Sequence, residues 1–314
     1  MQVVEVGKAE YDAHFASDNS AFHSAAFAEL NAHRCTEFRC LLFRDEKIRA
    51  GLIVGRKGTN WYSPFSAPFG GFAVKNNQQP SMLQIDSIVE ALIAYMLRID
   101  AESVQLTFPP LFYQTNVLTK VEHACIRQGF TVTDWDLNYY FDTTGITNTF
   151  PMDVFSRSAK HNYKLALQHP FVFEQVEGED GLRKAYEVIQ KNRESKGYYL
   201  SMSEVDLVNT AKIIQTEQFL LHLNGAIVAS AILYRHSSEL VQVVYWGDLP
   251  EFKSEKPMFL LTANLFKHYA KQGTRMVDVG PAMLGNMPIY GLCDFKESIG
   301  CGIQPKLTLV WNRA

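Results

Sequence analysis

LLHLNGAIVASAIL, from Leu220 to Leu233, contains two apolar runs separated by the dipeptide Asn-Gly. Asn-Gly between apolar runs is a strong signal for a β-hairpin, because both residues tolerate the positive φ of a tight turn. A related pattern, LLFRDEKIRAGLIV, runs from Leu41 to Val54, with the charged letters RDE at the turn. Each stretch predicts a strand, a turn and a second strand in its own half of the chain.

The order of the pieces after each hairpin is also shared. Each hairpin is followed by a β-rich piece, then by a helix with apolar residues at three- and four-residue spacing, and then by a short strand that ends near proline. These pieces are Trp61–Phe72, Ile85–Ile99 and Ser103–Pro110 in the first half, and Leu240–Phe252, Met258–Gln272 and Arg275–Ala282 in the second. The order predicts two copies of one α/β unit, although similar orders also arise in unrelated proteins.

The join between the two copies is predicted near Phe150. The aromatic and β-branched strand Thr131–Gly145 ends the first copy, and the turn-like stretch Thr147–Asp153 follows it. A basic helix over Met152–His169 then opens the second copy and is stopped by the proline that follows. The predicted domains are residues 1–150 and 151–314.

Composition narrows the class of protein. A length of 314 residues suits two domains, and 47% apolar with 20% charged residues is typical of a chain that folds. Five cysteines without a Cys-x-x-Cys pair indicate reduced thiols, and a net charge of −3 gives no bulk attraction to nucleic acid. Because the sequence shows no signal peptide and no long apolar run, we expect a cytoplasmic protein without a membrane span.

Four stretches of the second half carry a family pattern. They are Ser158–Leu167, Leu223–Asp248, Gly273–Met283 and Gly291–Pro305. In the last of them, Phe295 and Lys296 precede Gly300, which resembles the Phe-Lys-x-x-apolar-Gly signature of the FemABX family of GNAT-type acyltransferases. The resemblance spans Ser158 to Trp311, while the first half is similar by architecture and by its SPFSAPFGG loop.

This resemblance implies a fold and an activity. The fold is α/β, of two tandem GNAT-like domains, each a mixed and mostly antiparallel sheet flanked by helices, with the active site in the second domain. The activity is transfer of an acyl or aminoacyl group to an amine of a cell-envelope precursor, a sugar or a small metabolite.

Two departures from the family pattern concern the donor. The long helical hairpin that some members carry for tRNA is missing, and His161 replaces the usual arginine beside Asn162. Acyl-CoA is therefore the expected donor, and tRNA is possible but not favoured. The glycine-rich loop with which ordinary acetyltransferases hold pyrophosphate is not evident either.

Acyl transfer to an amine needs donors for the developing oxyanion and a group that removes a proton. The resemblance assigns the first role to Lys296. Asp278 and Asp248 are candidate bases, and Asp278 is favoured because an acid within a strand must find a partner or solvent. The substrate-binding candidates are Phe295, Tyr245, Trp246, Arg193, Tyr290 and Asn162.

Structural roles compete with each of these assignments. A lysine is usually exposed, an aspartate often caps a turn, and aromatic residues in a strand are usually core. The sequence thus leaves open a ligand-binding protein that keeps the duplicated fold without catalysis. A nucleic-acid binder would use the basic helix, with Arg157, Lys160, His161 and Lys164. No metal-ligand or hydrolase motif is found, so we expect no metal, and the oligomeric state stays open.

Overall fold

A computed structural model describes residues 1–15, 20–75 and 78–313. The chain divides into two compact units, one of Met1–Leu137 with Gln304–Ala314 and the other of Asn138–Ile303. The predicted boundary near Phe150 is a different quantity, the point along the sequence where the two repeats join, and it stays a prediction. In space, the second unit begins within the last strand of the first half.

The first unit is a sheet with helices. Its strands are β1 (Gln2–Val6), β2 (Glu37–Arg44), β3 (Ile48–Lys57), β4 (Asn60–Ser63), β5 (Ser103–Thr107) and most of the last strand of the chain, β14 (Gly302–Asn312). Its helices are α1 (Lys8–Phe15), α2 (Ala25–Leu30), α3 (Met82–Arg98) and α4 (Thr115–Arg127). The strand order is β1-β2-β3-β4-β5-β14, in which β2 and β3 form the predicted antiparallel hairpin and β4 and β5 are parallel.

The second unit is built in the same way. Its strands are the end of β6 (Thr131–Asp142), β7 (Phe171–Val176), β8 (Thr216–Leu223), β9 (Ala226–Arg235), β10 (Leu240–Asp248), β11 (Met276–Pro281), and the short pair β12 (Met283–Leu284) and β13 (Met287–Pro288). Its helices are α5 (Arg157–Ala166), α6 (Gly178–Lys196), α7 (Glu204–Ala211), α8 (Pro257–Lys271) and α9 (Tyr290–Ser298). The sheet order is β7-β8-β9-β10-β11-β6, where β8 and β9 form the predicted hairpin and β10 and β11 are parallel.

The two sheets therefore share one strand order: an antiparallel run, one parallel pair and a closing antiparallel strand. The closing strand of each unit comes from the other half of the sequence, because β14 pairs with β5 and the end of β6 pairs with β11. This confirms the predicted mixed, mostly antiparallel sheets. It also shows that most of β14, which lies within the predicted domain 151–314, closes the sheet of the first unit.

The alternation of side chains along β2 explains the layers of the first unit. Successive residues of a strand face opposite sides of the sheet. Leu41 accordingly joins a buried cluster with Leu92 of α3, whereas Leu42 joins a second cluster with Tyr11 of α1. The sheet of this unit is thus covered by apolar residues on both faces.

Helix boundaries follow local capping more closely than periodicity. Helix α3 begins before the predicted Ile85 because Ser81 and Gln84 form a capping box. Helix α5 begins at Arg157, because Ser156 accepts a hydrogen bond from the amide of Ala159. The predicted helix over Met152–His169 is therefore too long at both ends. The piece predicted as β-rich after Trp61 is a strand only as far as Ser63.

No helix among the described residues is both long enough and apolar enough to cross a membrane.

Candidate active site

The parallel strands β10 and β11 are paired only where they begin. The pairing joins Leu240–Gln242 to Met276–Asp278, although β10 continues to Asp248 and β11 to Pro281. Each strand carries a bulge beyond this point: β10 shifts its register against β9 after Val243, and β11 shifts against β6 after Asp278. Bulges bend a strand and re-aim its side chains. The two strands therefore part, and predicted site residues lie along the parted segments.

Lys296 lies on the inner face of α9 and is only 2% exposed. Its Nζ donates hydrogen bonds to the carbonyl oxygens of Val279 (3.1 Å), Gly280 (2.9 Å) and Pro281 (2.9 Å). An ammonium has three N–H donors, and all three are used here. Lys296 thus fixes the end of β11, on the side where that strand has left β10.

The buried position changes the acidity of this lysine. Burial lowers the pKa of Lys296 to about 8, while the thiolate form of Cys301 and the carboxylate of Asp278 act in the opposite direction. Burial also raises the pKa of Cys301 to about 12, so this thiol carries no charge where Lys296 titrates. Asp278 is the carboxylate among the groups whose charge raises the pKa of Lys296, and the thiol of Cys293 acts in the same direction. The ring of Tyr139 adds a cation–π contact, with Nζ 5.2 Å from its centroid.

Asp278 is completely buried and is surrounded by donors. Its carboxylate accepts hydrogen bonds from Asn138 Nδ2 (2.8 Å), Gln242 Nε2 (3.1 Å) and the amide of Gly280 (2.9 Å). Hydrogen bonds to the charged form stabilise a carboxylate as an anion. This satisfies the expectation that an acid within the strand has a partner, and it suits a fixed negative charge better than a proton acceptor for substrate.

Asp248 has a more open environment at the end of β10, where it is half-buried. Burial raises its pKa, and the nearby Lys196 works against that rise. Asn192 of α6 donates from Nδ2 to the Asp248 carbonyl oxygen at 2.6 Å and to its carboxylate at 3.3 Å. Gly247 permits this approach, because a Cβ at that position would lie 2.7 Å from Asn192 Cγ. Of the two acids, Asp248 is the better candidate for a base.

Arg193 stands near the end of α6, which stops at Gly197 in the left-handed conformation. Its Nε is buried without a hydrogen-bond partner, and burial lowers its pKa. The guanidinium lies 6.0 Å from the ring centroid of Tyr198, and its charge also acts on Tyr245 and Lys296. An unsatisfied, half-buried cation of this kind can bind an anionic group of a substrate.

The predicted aromatic residues have different surroundings. Trp246 and Phe295 pack edge to face, with centroids 6.1 Å apart. Tyr245 is buried, and its hydroxyl shares a 2.7 Å hydrogen bond with that of Ser201. Tyr290 is 70% exposed at the start of α9. The structure thus joins Trp246 to Phe295, places Tyr245 near Arg193, and leaves Tyr290 on the surface.

Asn162 lies half-buried on α5. None of the hydrogen bonds described above links it to the groups around Lys296 or Asp248. Its role in substrate binding stays a prediction from the resemblance alone.

The positions of the first unit that correspond to Lys296 and Asp278 hold uncharged residues. In each unit a buried residue near the end of a helix accepts a hydrogen bond, at its carbonyl oxygen, from the amide five residues later. The amide of Phe130 donates to Cys125 in the first unit, and the amide of Cys301 donates to Lys296 in the second. A glycine with positive φ precedes each of these donors. By this match Cys125 is the counterpart of Lys296, and the strand pairing makes Gln105 the counterpart of Asp278. The charged pair belongs to the second unit.

Sequence reasoning missed the groups that support the site. Asn138 and Gln242 are buried polar residues within strands. The useful signal was an amide side chain inside an otherwise apolar strand, which needs a partner as much as Asp278 does. Among the described residues, no group of three or more histidines, cysteines and acids is placed to hold a metal ion.

Comparisons with known proteins agree with this architecture. Residues 156–297 match the family model described as an acetyltransferase (GNAT) domain. A search of curated protein sequences found no match.

Solved structures extend the likeness over the whole chain. FemX is similar with a TM-score of 0.73 and 14% identity, over 100% of this chain and 98% of that one. The C-terminal domain of a putative lysylphosphatidylglycerol synthetase from Agrobacterium fabrum has a TM-score of 0.63 and 13% identity, over 98% and 93%. A tandem GNAT protein from the clavulanic acid biosynthesis pathway has a TM-score of 0.54 and 8% identity, over 99% and 98%.

The chain therefore has a tandem GNAT fold, and its second half contains the matched GNAT domain. Residues 156–297 match a GNAT domain and the whole chain has the fold of FemX, in agreement with the resemblance seen in the sequence. The matched GNAT domain supports a transferase of the acyltransferase type.

Proposed function

We propose that the protein is an N-acyltransferase that transfers an acyl or aminoacyl group to an amine, with acyl-CoA as the donor. The observation that carries the proposal is the parting of β10 and β11 inside the GNAT-matched segment, with Lys296 buried against the end of β11. The acceptor class is an amine of a cell-envelope precursor, a sugar or a small metabolite. A cytoplasmic location is part of this proposal.

In the proposed reaction, the acceptor amine attacks the acyl carbonyl directly. A C–N bond forms, the carbonyl oxygen becomes an oxyanion, and the C–S bond of the thioester then breaks as the thiolate leaves. Asp248 takes the proton from the attacking amine, a role that its raised pKa and half-buried position favour. The proton is passed on to the leaving thiolate or to solvent.

Lys296 contributes charge and position. Because its three hydrogens are held by carbonyl oxygens, it acts on the oxyanion mainly through the field of its buried ammonium. Such a field is weakly screened where water is excluded. Since burial lowers the pKa of Lys296 to about 8, activity that depends on the ammonium should fall as the pH rises above that value.

Arg193 is proposed to bind an anionic group of a substrate, a carboxylate or a phosphate. Its unpaired, buried Nε supports this assignment. Trp246 near the end of β10 and Phe295 of α9 pack together and are proposed to form an apolar wall of the site. The hydroxyl groups of Tyr245 and Ser201 are proposed to lie beside Arg193. Tyr290 and Asn162 remain candidates at the edge of the site.

A second candidate function is ligand binding without catalysis. The observation that favours it is the complete use of the Lys296 donors by the backbone, which is also what a purely structural lysine would show. Thermal unfolding with CoA, acetyl-CoA and longer acyl-CoAs tests the donor. A donor at one hundred times its dissociation constant stabilises the folded state by about 2.7 kcal/mol. If none of these donors shifts the unfolding temperature, the acyl-CoA proposal is wrong.

A further inference from the structure

We propose that Asp278 is a positioning residue, which Asn138 and Gln242 hold in place and which sets the backbone that receives the ammonium of Lys296. The inference rests on the proposed function only in giving Lys296 a part in the reaction. The arrangement of the four residues is independent of any substrate.

Three structural elements converge on the carboxylate of Asp278. Asn138 comes from β6, Gln242 from β10 and Gly280 from β11 itself, and each donates a hydrogen bond to Asp278. Asn138 and Gln242 are 2% and 6% exposed, so water does not compete with these bonds. The carboxylate is therefore fixed from both neighbouring strands, on either side of β11.

The carboxylate of Asp278 also imposes a local turn. The amide of Gly280, two residues after Asp278, donates to Oδ1 at 2.9 Å, as in a turn closed by an aspartate side chain. Gly280 has φ of +76°, a conformation that favours glycine, and the register of β11 shifts here. Asp278 thus stabilises the bend that follows it in the strand.

The bend in β11 is also where Lys296 binds. The carbonyl groups of the three residues that follow Asp278 all accept hydrogen bonds from Lys296 Nζ. Three successive carbonyls of a regular strand point alternately to opposite sides and do not meet at one atom. The bend at Gly280 is therefore required for this arrangement, and Asp278 holds the bend.

Asp278 also acts on Lys296 through its charge. The other groups that act on Lys296 through charge are Cys301, Cys293 and Arg193. The ring of Tyr139 also faces Lys296, and the Tyr139 hydroxyl donates a hydrogen bond to Glu297 at 3.0 Å. Arg193 disfavours the ammonium. Glu297 already accepts the hydroxyl of Tyr139, and Cys301 is neutral near pH 8. The fixed anion of Asp278 therefore stabilises the ammonium that the bend receives.

Two of these supporting residues, Asn138 and Tyr139, lie in β6, which is encoded in the first half of the chain. They fall outside the segment that matches the GNAT family model, residues 156–297. The surroundings of Lys296 are therefore completed by the exchanged strand.

The test is NMR titration of the Lys296 side chain in the full-length Asp278→Asn protein. Asparagine keeps the shape, removes the charge and turns a donor toward the three existing donors. We expect the pKa of Lys296 to fall by about 0.5 to 1 pH unit relative to the parent, since a nearby opposite charge favours the charged form. Thr210→Val is the matched control, because Thr210 is also buried, at 4% exposed, and its hydroxyl hydrogen-bonds to Asp206 and Tyr234 at a place that does not contact Lys296.

If the pKa of Lys296 falls in both variants, the effect is a general loss of packing and the proposal is wrong. If it falls in neither, Asp278 does not act on Lys296 and the proposal is also wrong. Should Asp278→Asn fail to fold, the Asp278 carboxyl is observed by NMR in the parent. It must stay ionised throughout the titration of Lys296, and a neutral carboxyl at pH 7 overturns the proposal. Neither measurement uses a substrate, so the positioning role can stand or fail separately from acyl transfer.

Discussion

Lys296 shows how much of a residue's role depends on its surroundings. Its motif, and not its chemistry, distinguishes it in the sequence, since most lysines are exposed. The structure buries it and surrounds it with carbonyl oxygens, which no local pattern predicts because those oxygens lie on another element. Asp278 is the opposite case. Its position within an apolar strand already indicated that it needs a partner or solvent, and the fold was required to identify Asn138 and Gln242 as the partners.

The buried ammonium makes a prediction about stability. The pKa of Lys296 is about 8 in the folded protein and near 10.5 in the unfolded chain. Between these values the unfolded state binds more protons, so this group makes the folded state more stable as the pH rises from 8 toward 10.5. Between pH 7.5 and 10, the free energy of unfolding measured in urea should therefore rise for the parent relative to that of Lys296→Met. A constant difference would contradict the buried charge.

The proposed base makes a prediction about rate. Asp248→Asn should lower kcat by about a hundredfold, in the range typical of a lost general base, and should remove the acidic limb of the pH profile. The control is Asp294→Asn, because Asp294 is exposed on α9. Steady-state kinetics from pH 5 to 9 provide the measurement. Equal effects of the two substitutions would exclude the assigned role.

At the scale of elements, the sequence predicts what is local. The two hairpins and the three- and four-residue spacing of apolar residues in α3 and α8 are each determined by neighbouring residues. Pairing between distant strands is not local. The sequence therefore assigned the final strand to the second copy, whereas its partner is β5 in the first unit.

The contact between β10 and α6 makes an element-scale prediction. Gly247→Ala would place a Cβ 2.7 Å from Asn192 Cγ, so one of the two elements must move. We expect a loss of about 1–3 kcal/mol in the free energy of unfolding, as for other overpacked sites. Gly291→Ala is the control, since a Cβ there meets nothing within 4 Å. Urea denaturation compares the two, and an unchanged Gly247→Ala protein would show that the approach is looser than described.

At the scale of the molecule, the exchange of closing strands is the main consequence of the fold. A fragment of residues 151–314 lacks β6, and a fragment of residues 1–150 lacks β14, so each would leave a strand of its sheet unpaired. We expect each fragment alone to be unfolded or aggregated and the two to associate when they are expressed together. Co-purification and circular dichroism test this. Cooperative unfolding of the isolated 151–314 fragment would contradict it.

The central claim is acyl transfer at the second unit, and it is tested most directly by transfer itself. Purified protein is incubated with radiolabelled acyl-CoA or aminoacyl-tRNA and a panel of amine acceptors, in parallel with the Lys296→Met and Cys125→Ser variants. We predict transfer by the parent with an acyl-CoA donor, a loss of about a hundredfold or more in Lys296→Met, as when other groups that stabilise the transition state are removed, and little change in Cys125→Ser. Equal transfer by the parent and Lys296→Met, or loss only in Cys125→Ser, would contradict the account.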